Sequence, residues 1–345
     1  MTDFHSYLKH YDGPQLRLME VCGTHTAQIS KCGIPDMLSP KIRLVSGPGC
    51  PVCVTVSAYI DKLVELSLNP QNVVVTFGDM MRVRGSERSL YDAKAGGGNV
   101  QMAYSPMDTL RFAAADPKRD YIFAAVGFET TAPIYALLLQ EAEKTGMQNV
   151  KILSSLKTMP QVIDWVCANQ GGVDGFIAPG HVSVITGSDI FRPLAEKFGL
   201  PFAVSGFEGE QILAAVYALT QLKGQGRVVN LYPSAVKAEG NREAQELVAR
   251  YFEPCDSAWR GMGTVSGSGI ILREKYARFD AGSVGLIEDR GGNPLCRCAK
   301  VLTGALSPAD CPLFGKVCTP KTPQGACMVS LEGSCYHYFI NKRSR

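Results

Sequence analysis

The chain has 345 residues, 46% hydrophobic and 19% charged, with 35 Lys and Arg against 32 Asp and Glu for a formal charge of +3. That length accommodates two or three domains, and so balanced a charge excludes a dedicated nucleic-acid or anionic-membrane binder. Residues 1–13 lack the apolar core of a secretory signal, and no apolar run approaches the roughly 20 residues of a membrane helix, so a cytoplasmic protein is expected.

Short β-rich runs alternate with helical patterns from residue 16 to about 226. Candidate strands fall at 16–21, 42–46, 73–77, 100–104, 121–126, 151–155, 175–178 and 201–204, and amphipathic stretches such as 134–144 and 208–222 follow them. Alternating strand and helix predicts α/β architecture with parallel sheets built by βαβ crossovers. Eight strands divide into two groups of four near Asp116–Asp120. The expectation is therefore two Rossmann-like lobes, 14–118 and 119–228, facing a cleft. No G-x-G-x-x-G follows the first strand, and Ala95-Gly96-Gly97-Gly98-Asn99 lacks the P-loop pattern, so no nucleotide is implied.

The unusual residues gather at the carboxyl ends of these strands, the edge where open α/β sheets bind ligands. Cys22-Gly23-Thr24-His25-Thr26 follows the first, and Gly47-Pro48-Gly49-Cys50-Pro51-Val52-Cys53 the second. Gly78-Asp79, Gly127-Phe128-Glu129-Thr130-Thr131, Pro179-Gly180-His181-Val182-Ser183 and Ser205-Gly206-Phe207-Glu208 follow the third, fifth, seventh and eighth. In facing lobes all six loops line one cleft. Cys50 and Cys53 sit on a strand-to-helix turn, which Gly47 and Gly49 permit and Pro51 stiffens. A C-x-x-C pair there closes a disulfide, passes electrons or holds a soft metal. Cys22, at a strand end before a helix start, is expected to be accessible with thiolate character.

From about residue 227 the rhythm changes. One helix is expected within 236–252, then a Gly/Ser-rich segment at 261–269 and a tail dense in Cys, Pro and Gly. Residues 229–345, with 1–13 packed on them, read as a third domain held by metal coordination. Of the twelve cysteines, six lie in the last fifty residues, and Cys167 and Cys255 stand alone as structural residues. Structural disulfides are rare in the cytosol, so metal binding or redox chemistry is the default for the others. Cys296, Cys311, Cys318 and Cys335 give C-x14-C-x6-C-x16-C. Four thiolates on a Pro/Gly-rich wrap suit a [4Fe–4S] cluster, and spacing alone leaves zinc open. Cys298 and Cys327 remain as alternates, supporting thiols or a redox pair.

Five of these motifs in order resemble the HypD family of hydrogenase maturation factors: the CGTHT, GPGCPVC, GFETT and PGHVS segments above, and the tail from Asp310-Cys311-Pro312-Leu313-Phe314-Gly315 to Gly325-Ala326-Cys327-Met328-Val329-Ser330. Ala299 departs from the glycine that often follows the family's CxC. The resemblance implies a scaffold for the Fe(CN)2CO group of [NiFe]-hydrogenases, working with a small HypC-like chaperone and a HypE-like cyanide donor, and carrying a [4Fe–4S] cluster in the third domain. It also implies that Cys22 holds the iron jointly with a HypC cysteine. Electrons are then expected to pass from the cluster to the Cys50/Cys53 couple, in a redox-active assembly scaffold rather than a turnover enzyme.

For His25 and His181 the plain reading is local capping or hydrogen bonding, and the functional one is proton management or cyanide orientation. Glu129 reads as a carboxylate complementing the start of its own helix, or as a cleft residue. Asp79 and Glu208 are weaker candidates, and His5, His10 and His337 read as surface residues. The competing reading is an iron–sulfur-dependent disulfide reductase. Cys22 discriminates, because a reductase needs no third cleft thiol. A zinc-stabilised α/β binding protein is the third.

Overall fold

Among residues 4–342, which the computed structural model describes, eleven strands form two sheets. They are β1 (Leu16–Glu20), β2 (Ile42–Ser46), β3 (Asn72–Thr76), β4 (Val100–Met102), β5 (Asp120–Gly127), β6 (Val150–Lys157), β7 (Gly175–Pro179), β8 (Phe202–Ser205), β9 (Val228–Asn230), β10 (Phe252–Trp259) and β11 (Gly263–Leu272). All eight expected strands are present. Their apolar runs suit strands covered on both faces: Val73, Val74 and Val75 are buried in β3, and Ile122 through Val126 in β5.

The first sheet runs β2-β1-β7-β8-β9, parallel throughout. The second runs β10-β11-β6-β5-β3-β4; β6, β5, β3 and β4 are parallel, while β11 and β10 join antiparallel. The expected grouping of strands is therefore corrected. β5 pairs with β3 across the anticipated boundary at 118/119, and β7 and β8 return to pair beside β1. Each sheet draws on two separated stretches of chain. Alternation of strand and helix tells that sheets are parallel, but not which sheet a strand joins, because pairing is non-local.

The expected third domain is corrected likewise. β9 closes the first sheet, and β10 and β11 complete the second, so only the cysteine-rich segment from about residue 290 stands apart from the sheets. The helix expected within 236–252 is the shorter Arg242–Tyr251, capped by the Asn241 side chain on the Ala244 amide. The Gly/Ser-rich stretch 261–269 is mostly strand β11, not a linker. Residues 1–3 and 343–345 of the expected third domain lie outside the described residues.

Alternation along β1 assigns its two faces. Leu16 and Leu18 pack with Ile29, Ile177 and Ile212 in one apolar layer. Met19 and Val21 face a central core that also contains Cys50, Cys53, Trp259, Cys298, Cys318, Cys327 and Cys335. One core thus joins both sheets to the tail. Among the described residues no helix is long and apolar enough to cross a membrane.

Candidate functional site

Each sheet has one point where strand order reverses. In the first it lies between β1 and β7, in the second between β3 and β5. Crevices open at such points outside the strands' carboxyl ends. Here the two face each other around a cavity of about 100 Å³, lined by Val21–Thr24 after β1, Gly49 and Pro51 after β2, Phe128, Thr130 and Thr131 after β5, Pro179, His181 and Val182 after β7, and Glu332 from the tail. The loop after β8 joins through Phe207, whose ring stacks on His181 at 3.9 Å and lies 5.0 Å from His25. Asp79, after β3, is close enough to act on Glu332. Of the six loops expected to line one cleft, those after β1, β2, β5 and β7 line this cavity, and those after β3 and β8 approach it only through Asp79 and Phe207.

Cys22 lies beside the CxxC turn: the Gly23 amide donates to the Gly49 carbonyl at 3.0 Å. A Cβ on Gly49 would stand 2.2 Å from the Cys22 nitrogen, so only glycine lets the strands' ends approach this closely. The expectation of an accessible thiolate at Cys22 is corrected. The residue is 8% exposed, and burial pushes its thiol up to about 12, against the pull of the His25 and Thr24 amides and with the Glu20 and Glu332 carboxylates opposing ionisation. The helix start after it (Gly23–Lys31) is present, but desolvation outweighs it.

Glu20 is the residue beneath Cys22. Its carboxyl, 2% exposed, accepts from the Cys22 amide at 3.0 Å and the Thr26 hydroxyl at 2.5 Å. Burial raises it to about 8, with those bonds pulling the other way. His25 is fully buried and its Nε2–H donates to the Gly206 carbonyl at 2.9 Å, which leaves Nδ1 an acceptor without a partner. Burial lowers it to about 4, so it is neutral. His181 lines the cavity and is also lowered by desolvation.

Glu129 does not complement its own helix, Ala132–Lys144. Its Oε1 accepts from the Met159 amide at 2.7 Å, at the start of the helix Met159–Asn169, while buried Oε2 is unpartnered. Burial raises it to about 7. Glu129 borders the site rather than lining the cavity. Glu208 is exposed and caps the helix Gly209–Gln221 with Gln211. His337 is a correction: it is half-buried, bonded through Nε2 to the Leu331 carbonyl, and lines a separate cavity of about 250 Å³ that Glu20 also reaches.

Cys50 and Cys53 form a disulfide. Cys50 is the N-cap of the short helix Pro51–Val54, and its sulfur accepts from the Cys53 amide at 3.2 Å. The tail meets this turn directly, with Ser330 Oγ 3.4 Å from Cys50 Sγ. The six tail cysteines lie near one another. Cys298 is hydrogen-bonded to Cys327, which with burial pushes it well above the usual thiol range, and Cys327 also bonds Cys335. Cys296, raised to about 12 by burial, senses Cys298, Cys311 and Cys318, and Cys335 senses Cys296, Cys298 and Cys318. Gly325 makes room: a Cβ there would lie 2.8 Å from Cys296 Sγ. The donor set is wholly sulfur, the chemistry that suits iron–sulfur clusters or zinc. Among the described residues no group of three or more His, Cys, Asp or Glu is disposed to hold a single metal ion.

Sequence reasoning passed over Glu20, Glu332, Ser330 and Arg260. Glu20 had a signal, a carboxylate inside the apolar strand Leu16-Arg17-Leu18-Met19-Glu20-Val21 two residues before the cysteine. The others lie in turns whose partners are more than 200 residues away, and nothing local marks them.

A family model named HypD, described as the hydrogenase formation hypA family, matches residues 3–342. The chain is 42% identical over 342 residues to hydrogenase maturation factor HypD1 of Bradyrhizobium diazoefficiens, covering 95% of this chain and 90% of that protein. It is 41% identical over 343 residues to hydrogenase maturation factor HypD of Azotobacter vinelandii, covering 96% and 90%. It is 41% identical over 342 residues to hydrogenase maturation factor HypD of Escherichia coli, covering 97% and 91%.

Proposed function

The chain belongs to the HypD family and so serves hydrogenase maturation, and from that premise we propose that it is the scaffold on which the Fe(CN)2CO group of [NiFe]-hydrogenases is assembled. The iron is cargo, held by Cys22 and a cysteine of a HypC-like chaperone while a HypE-like partner delivers cyanide. One observation carries this reading: a lone third thiol, Cys22, is hydrogen-bonded through its neighbour Gly23 to the segment bearing the Cys50–Cys53 disulfide, at a shared cavity. A plain disulfide reductase has no use for that thiol.

In this reading Cys22 stays protonated until a soft metal displaces the proton, because burial disfavours the free thiolate. Low-spin iron with cyanide and carbonyl favours such a thiolate ligand. Closing the Cys50–Cys53 pair from dithiol to disulfide releases two electrons and two protons beside the cargo. His181 lines the cavity and is suited to orient a diatomic ligand or its proton, and His25, whose Nδ1 is an acceptor with no donor, packs against the same Phe207 ring. Cys296, Cys311, Cys318 and Cys335 would hold a [4Fe–4S] cluster, which when bound supplies electrons singly.

The test is infrared spectroscopy of the protein co-purified anaerobically with its small partner. Cyanide and carbonyl stretching bands are expected, and Cys22→Ala is expected to lack them. Bands that persist in Cys22→Ala would reject Cys22 as the iron-holding thiol.

A further inference from the structure

The hairpin joining β10 to β11 touches both sulfur-bearing segments. At its tip the Arg260 amide donates to the Val54 carbonyl at 2.8 Å and Arg260 Nε–H to the Thr55 carbonyl at 2.8 Å. Val54 and Thr55 directly follow Cys53. The next residue, Gly261, holds a φ of +73°, and a Cβ there would lie 2.1 Å from the Ala299 methyl, so the tip also abuts the helix Cys298–Leu302. The guanidinium is largely enclosed, with 16% side-chain exposure; its nearest carboxylate, Asp289, stands 3.9 Å from Nε, and Nη2 is buried without any partner. Leaving a charged donor unsatisfied is costly unless some state of the protein uses it.

We propose that Arg260 is a positioning residue whose charge stabilises the reduced state of the Cys50–Cys53 pair and sets that couple's potential against the tail thiols. This deepens the scaffold reading and rests on its premise that the pair cycles. Opening the disulfide by an external dithiol breaks the S–S bond and transfers two electrons, while the reductant closes to its own disulfide. One cysteine sulfur keeps a proton, the other remains a thiolate, and the second proton goes to solvent. Cys50 is the sulfur better suited to stay ionised, since the Cys53 amide already points at it. A thiolate formed there is buried, with Cys50 4% and Cys53 0% exposed, where a cation anchored on the two residues after Cys53 counts for more than in water. Asp289 opposes it.

The full-length protein, purified anaerobically, is equilibrated against graded ratios of reduced and oxidised dithiothreitol, and alkylation of Cys50 and Cys53 is read by mass spectrometry. Arg260→Gln is expected to shift the equilibrium about tenfold toward disulfide, about 30 mV, and Arg260→Lys to recover part of the shift. Asp289→Asn, which keeps an oxygen for the Ser57 amide, is expected to shift it toward dithiol, and keeps the question open to test if Arg260→Gln does not fold. Folded Arg260→Gln matching the parent within twofold, or Asp289→Asn shifting toward disulfide, would overturn the proposal. The titration needs no iron cargo, so its outcome is separate from the infrared bands that test the scaffold.

Discussion

Cys50 Sγ and Ser330 Oγ stand 3.4 Å apart, joining positions 280 residues distant in the chain. Through this contact the cysteine-rich tail reaches the disulfide turn without any intervening element of either sheet. The two sulfur sites are neighbours packed in one core.

Cys50→Ser is expected to abolish cargo assembly while leaving the tail thiols' metal chemistry intact. Infrared bands of the co-purified complex should vanish, and visible charge-transfer absorbance of the anaerobic protein should persist. Loss of both would mean the disulfide turn is needed to fold the tail.

The tail cysteines should divide by position. Cys318→Ser is expected to remove the visible chromophore, whereas Cys255→Ser, on β10 among the second sheet's residues, should leave it unchanged. An absorbance spectrum beside an iron and zinc determination reads both outcomes and separates a cluster from zinc.

Glu20→Ala strands the Cys22 amide, now bonded to the carboxyl, and leaves the Thr26 hydroxyl only its longer bond to the Cys22 carbonyl at 3.3 Å. A buried orphan costs about 1–3 kcal/mol. Glu20→Gln keeps an acceptor for the amide and should lose much less. Denaturant midpoints at a single pH compare them.

Gly49→Ala places a methyl 2.2 Å from the Cys22 nitrogen and 2.6 Å from its Cα. Backbone cannot yield as a flexible side chain does, so a loss of about 1–3 kcal/mol is expected. Thermal unfolding and the alkylation rate of Cys22 would both register the displaced loop.

Lys157 is 2% exposed, donates to Ser257 Oγ at 2.8 Å and the Ala258 carbonyl at 2.6 Å, and is lowered by burial from 10.5 to about 7. Between about pH 7 and 10.5 the unfolded chain holds this proton and the folded chain does not. Stability from this group therefore rises with pH across that window, by up to about 1.4 kcal/mol per unit. Below pH 7 both states are protonated and its contribution is flat. Lys157→Met should flatten the rise, read as denaturant midpoints at pH 7, 8 and 9 (pH values chosen within about that window).

Much of the site is legible in the sequence. Cysteine, histidine and glycine crowding after β1, β2, β5 and β7 marks the sheet edge where ligands bind, and the structure brings these loops to one cavity. Residues that act through long-range contacts were not legible. Arg260 looks like any turn arginine until its carbonyl partners at Val54 and Thr55 are known. The ionisation of Cys22 was misjudged because sequence shows the helix start, whose pull on a thiol is modest, and hides the burial that outweighs it. The grouping of strands failed for a related reason. Periodicity reports local conformation, whereas the pairing of β7 with β1 depends on a partner over 150 residues away.

That interleaving has a consequence for synthesis. Neither sheet closes until a late stretch arrives: β7 to β9 for the first, β10 and β11 for the second. A nascent chain emerging amino-terminus first exposes Cys22, Cys50 and Cys53 well before their surroundings exist, and slow non-local pairing prolongs that interval. Free iron or oxidants meeting those thiols early would trap the wrong species, so a holdase covering the emerging amino-terminal segment should raise the yield of correctly wired protein.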